Sequence, residues 1–181
     1  MKIAKIILAI AFAAICASAE GLYTGFNATI GAEFYTADTP NGDYEIFDQA
    51  GPAFGLGFDV GFPISLQNGG NLALGIGWDG WFQSVESGNR DDTALLMILG
   101  PAINTKFNRF VAGIRLGTSF VIETEDGEGG TMGFGMKGYF GYEFTTNWSL
   151  IFTAHYTSTE HNDYTDIDVS GFGAGISYNA F

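Results

Sequence analysis

Basic residues are scarce in this chain: 7 Lys and Arg stand against 20 Asp and Glu in 181 residues, a formal net charge of −13. A protein that grips nucleic acid needs a basic face, so that partner class is excluded. Cysteine is nearly absent. Its one copy, Cys16, can close no disulfide within the chain. Only four prolines are present, so an extended proline-rich linker is also excluded. No stretch reaches the 18 or so consecutive apolar residues of a membrane helix. What the chain does have is 27 glycines, 28 aromatics and a hydrophobic share of 46%. That apolar content is too high for a disordered acidic tail.

Residues 1–19 have the form of a secretory signal. Lys2 and Lys5 precede an apolar run from Ile6 to Ala17, and Ala17-Ser18-Ala19 is an A-x-A cleavage site. Lipid attachment at Cys16 is disfavoured by the bulky Ile15 before it. The expected mature chain, residues 20–181, is a single 162-residue domain with no cysteine, carrying five basic and 20 acidic side chains. Its net charge is therefore −15. The signal places it outside the cytoplasm.

Within the mature chain the dominant pattern is alternation with period 2, the mark of a strand with two different faces. In Ala53–Leu66 the even positions are Phe54, Leu56, Phe58, Val60, Phe62, Ile64 and Leu66, whereas Gly55, Gly57, Asp59 and Gly61 lie between them. The same contrast recurs in 22–36, 71–85, 110–122, 131–144, 148–159 and 167–181. An eighth segment, 93–103, is apolar almost throughout; Leu95, Met97 and Leu99 are assigned to its greasy face. Eight strands with short connections predict an antiparallel meander. Three connections are short: 67–70, 104–109 and 145–147. The other four (37–51, 86–92, 123–130 and 160–168) are read as longer loops, and they hold 15 of the 20 carboxylates.

A soluble lipocalin-like barrel alternates too, with its apolar face inward. Fifteen strand glycines (25, 31, 55, 57, 61, 75, 77, 113, 117, 133, 135, 141, 171, 173 and 175) would then form the outer wall and pack against nothing. Turned inward, they make room in an interior just wide enough for side chains. The greasy face then meets lipid, and closure leaves no unpaired edge. Trp78, Trp81 and Phe82 near the long-loop end, and Tyr142, Phe144, Trp148 and Tyr178 near the short-turn end, suit two interfacial aromatic girdles. The expected fold class is all-β: an eight-stranded antiparallel up-and-down transmembrane barrel.

The signal ending in Ala17-Ser18-Ala19, the eight alternating strands and the terminal Phe181 together resemble the small eight-stranded outer-membrane barrels of the OmpA and OmpX type. That resemblance implies the outer membrane of a Gram-negative bacterium. It also implies a monomer among lipid and lipopolysaccharide, and assembly by the barrel-assembly machinery reading Phe181. Phe181 is out of phase with Phe172, Ile176 and Tyr178, so a bulge near Asn179 or fraying of the last residues is expected. A peptidoglycan-binding domain after the barrel is not expected.

The inward charges are Glu33, Asp59, Asp79, Arg115, Lys137 and Glu143, with His155 beside them. Charges in a narrow interior must find partners, so Arg115 and Lys137 are expected to pair with Asp59 and Asp79. The alternative is a gate in a narrow passive pore. A lipid A-modifying enzyme needs a serine on the face of its histidine. His155 and Thr157 share a face but Ser158 points away, so a non-catalytic protein without cofactor is expected. The acidic loops lack the ligand spacing of a calcium loop and are read as a surface rim bridged at most by divalent ions.

Overall fold

The computed structural model describes residues 21–38, 44–45, 51–67, 69–87, 90–123, 131–162 and 165–181. The signal segment lies outside them, as do most of residues 37–51 and all of 124–130. Eight long strands form the barrel: β1 (Tyr23–Asp38), β2 (Gly51–Ser65), β3 (Asn71–Ser87), β4 (Arg90–Phe107), β5 (Phe110–Glu123), β6 (Thr131–Thr145), β7 (Trp148–Asn162) and β8 (Thr165–Ala180). Each pairs antiparallel with its neighbour in sequence, and β1 closes on β8 through 15 register pairs from Thr24↔Ala180 to Asp38↔Asp166. The sheet has no free long edge, which is the condition for a β structure to cross a membrane.

Exposure decides which face is which. Phe62 and Ile30 are 73% and 71% exposed, whereas Asp79, Glu33 and Thr157 are fully buried. The greasy positions therefore point out of the barrel and the polar ones into it. In β4 the assignment of Leu95, Met97 and Leu99 to the outer wall holds, and the alternate residues Ala94, Leu96 and Ile98 are buried inside. Pro101 interrupts the β4–β5 ladder, whose register pairs run from Leu99↔Thr118 directly to Ala102↔Arg115. A residue without N–H has no hydrogen to give at that point.

The connections differ from expectation at the acidic end. Segment 86–92 is mostly ladder, because β3 runs to Ser87 and β4 resumes at the paired Arg90. Segment 160–168 is likewise ladder up to Asn162 and again from Thr165. The pair Tyr44–Glu45 lies within the expected first loop and hydrogen-bonds along β1. Acidic composition thus does not report whether the backbone remains paired. At the other end the turns are tight. Asn108 (φ 54°) and Asn147 (φ 66°) occupy the left-handed region that asparagine tolerates better than most residues.

The C-terminus resolves the phase problem of Phe181. Pairing of β8 with β1 continues in step through Asn179 and Ala180, with neither a bulge nor a break. Phe181 thus falls on the inward side, where its ring lies 4.6 Å from the ring of the buried Tyr23. Tyr23 also donates its hydroxyl hydrogen to Asn179 Oδ1 at 2.9 Å, which ties the first strand to the last.

Candidate functional site: the charged interior

Inward glycines create the space for the charged interior. A side chain at Gly77 would collide with Asp59 and Arg115, and one at Gly57 with Asp79 and Asn27. Into that space Arg115 of β5 extends between two carboxylates, bonding Asp59 of β2 and Asp79 of β3. Lys137 of β6 donates to Asp79 Oδ1 at 2.5 Å and to Asn27 Oδ1 at 3.0 Å. All four ionised side chains are almost entirely buried. Such charges are tolerated only when paired and hydrogen-bonded, since the loss of hydration is otherwise uncompensated. Between them remains a cavity of about 10 Å³, lined also by Asn104 and Tyr139. That is scarcely the space of one water.

A second layer lies towards the acidic end. The imidazole of His155 is 3.1 Å from Glu33 Oε1, and both side chains are fully buried. Trp81 covers the histidine with ring centroids 4.4 Å apart, and Lys137 Nζ lies 5.8 Å from the Trp81 ring. Trp81 is therefore not part of a girdle. It is fully buried inside the barrel, where it connects the Arg115–Lys137 cluster to the Glu33–His155 pair. Gly55 and Gly171 leave the room that Trp81 and His155 fill. Gln83 steadies the same layer by donating to the Glu33 backbone carbonyl at 3.3 Å.

Above Trp81 the interior turns apolar. Ala53, Ala94, Leu96, Val121, Ile167 and Val169 pack with it into one buried cluster. The alternation pattern, which sees mainly glycine and isolated charge on the inner face, gives little sign of this cap. Its signals are the unbroken apolar run of β4, with Leu96 and Ile98, and the inner-face parity of Val121, Ile167 and Val169.

Glu143 does not join the central network. It sits at the short-turn end, where Lys106 donates to its Oε1 at 2.6 Å and the Asn147 backbone N–H at 2.7 Å. Lys106 was not among the residues singled out from the sequence. The other aromatics expected in the girdles, Trp78, Phe82, Tyr142, Phe144, Trp148 and Tyr178, do lie on the outward face. Trp148 meets Tyr178 edge-on at 5.4 Å, and Tyr142 meets Phe110 in the same way at 5.5 Å.

No hydroxyl hydrogen-bonds the His155 ring, and the Thr157 hydroxyl on the same face is buried without a hydrogen-bond partner. Ser158 lies on the other face, opposite Asp168 and Phe134. The described residues thus bring no nucleophile to the histidine. Nor do they contain a cluster of three or more His, Cys, Asp or Glu side chains arranged to hold a metal ion.

No family model matches the chain, and no characterised protein matches it by sequence. Solved structures do match. Neisserial surface protein A is 15% identical over 89% of this chain and 97% of its own, with a TM-score of 0.52. Ail, the attachment invasion locus protein of Yersinia pestis, is 12% identical over 86% of this chain and 99% of its own, with a TM-score of 0.51. This chain has the fold of the small eight-stranded outer-membrane barrels. Its greasy outer wall and closed ladder are those of a β-barrel that crosses a membrane.

Proposed function

We propose that the protein is a non-catalytic outer-membrane barrel that serves envelope structure or surface interaction through acidic extracellular loops. The observation that carries this reading is the filled interior. Paired charges with about 10 Å³ between them, then Trp81, then an apolar cap close the lumen in series. A path for ions needs a continuous wet passage, and this stack of paired charges and apolar side chains opposes one. The test is conductance: purified protein in planar bilayers is expected to give no discrete steps, and reproducible unitary currents would establish the pore reading instead.

A lipid A-modifying activity is the third reading. It is opposed by a histidine buried with Glu33 and without a hydroxyl partner. Mass spectrometry of lipid A from cells with and without the protein is expected to show identical species. The segments that carry the rim acids hold 15 carboxylates and one basic residue, Arg90. Ail was crystallised with the heparin analogue sucrose octasulfate. A polysulfate would be repelled by the rim of the present chain, so its surface partners are cationic or joined through divalent ions, lipopolysaccharide among them. Phe181 is read as the signal for the barrel-assembly machinery, here presented from the mouth of the barrel beside Tyr23.

A further inference from the structure

One glycine has no reason inside the molecule. Among the described strand glycines, every other one would bring an added Cβ to 3.0 Å or less from a neighbouring atom, so a side chain or backbone already uses its space. Gly138 of β6 is the exception. It faces outward, and an added Cβ would meet nothing nearer than the Gly113 carbonyl oxygen at 4.0 Å. Its φ is not in the left-handed region, so neither strain nor crowding calls for glycine. Glycine weakens a strand, and here no contact within the chain offsets that.

Around Gly138 the outer wall is indented by a groove of about 580 Å³. Its floor continues from Gly138 to its cross-strand neighbours Ile114 and Ala154. One bank is the stacked pair Phe140 and Phe152, with centroids 5.6 Å apart; the other is the cross-strand pair Met136 and Tyr156. Met136 and Phe140, four residues apart on one strand, stand about 13 Å from each other. The groove lies near the middle of β6 and β7, where an outer-membrane barrel faces only hydrocarbon.

We propose that this groove holds one acyl chain of a membrane lipid in a preferred position against the barrel. The argument rests on the transmembrane fold and not on the functional reading above. Lipid tails are as apolar as the wall, so no hydrophobic gain drives the binding. The gain is packing: a chain lying between two aromatic or thioether banks touches protein on three sides, whereas elsewhere it touches on one. A second barrel fits this surface less well, because its convex wall could lower only single side chains into so narrow a slot.

The test uses the full mature protein, with labelled methyl groups, in dimyristoyl phosphatidylcholine nanodiscs. Cross-peaks from lipid methylenes to the methyls of Ile114, Met136 and Ala154 are expected to be severalfold stronger than those to Ile30, Ile76 and Leu150, which are also outward. In Gly138→Leu, whose folding is checked by the interior methyls of Leu96 and Ile98, they are expected to fall to the level of the controls. Equal lipid cross-peaks at all outward methyls of the unmutated protein would overturn the proposal. So would protein-to-protein cross-peaks at the groove in a mixture of differently labelled copies, which would place a second barrel there. The unmutated protein alone decides these outcomes if the variant does not fold.

Discussion

Asp79 is the residue on which most of the interior depends, because it receives both Arg115 and Lys137 and has no exposed surface. Removing it leaves two buried cations short of a partner, a loss of about 3–5 kcal/mol. Asp79→Ala is therefore expected to lower stability by that amount in urea unfolding from lipid vesicles. Adding Lys137→Ala is expected to recover part of the loss, since it removes one of the orphaned charges. Equal, additive losses would show that the two side chains act independently. The legibility of this site was mixed for one physical reason. Parity alone places Trp81 with Gly77, Asp79 and Gln83 on the inner face of β3. The preference of tryptophan for membrane interfaces pulls the other way, and inside this barrel packing against His155 outweighs it. Brominated lipid is accordingly expected to quench Trp78 and Trp148 but not Trp81, measured on variants that retain one tryptophan each. Quenching of Trp81 equal to that of Trp78 would return it to the outer wall.

At the scale of strands and turns, the eight elements and their faces were legible because period 2 survives wherever one face meets lipid and the other a crowded polar interior. Their ends at the acidic side were not, because the backbone ladder continues through segments whose composition reads as loop, as at the register pair Glu86↔Asp91. The short-turn end makes a quantitative contrast. Lys106 and Glu143 form a partly exposed ion pair, a class worth about 0.2–1 kcal/mol. Glu143 has a second task, accepting the backbone N–H of Asn147 within the β6–β7 turn. Lys106→Ala is thus expected to cost no more than about 1 kcal/mol, and Glu143→Ala more than Lys106→Ala, because the turn then loses a charge-assisted hydrogen bond as well. The same urea titration measures both, and equal losses would mean that the turn contact contributes nothing.

For the whole molecule, the unusual composition resolves into two described surfaces, a greasy wall and a glycine-lined interior filled by paired charge. In the function proposed above the interior is closed twice, by closures of different kinds. The ionic layer is held by Asp59, Asp79, Arg115 and Lys137, whereas the upper cap is Trp81 with Leu96, Val121 and Val169. A barrel blocked in series conducts only when both blocks fail. Lys137→Ala by itself is therefore expected to stay silent in planar bilayers, because the apolar cap is untouched. Trp81→Ala with Leu96→Ala is also expected to stay silent, since Arg115 and Lys137 still bridge the carboxylates below. Only the combination of both sets, with Arg115→Ala added because Arg115 alone still bridges Asp59 and Asp79, is expected to show discrete current steps, with folding confirmed by the unchanged signal of Trp148. Current from Lys137→Ala alone would mean that the cap does not exclude water, and that the ionic layer is the single gate of a narrow pore.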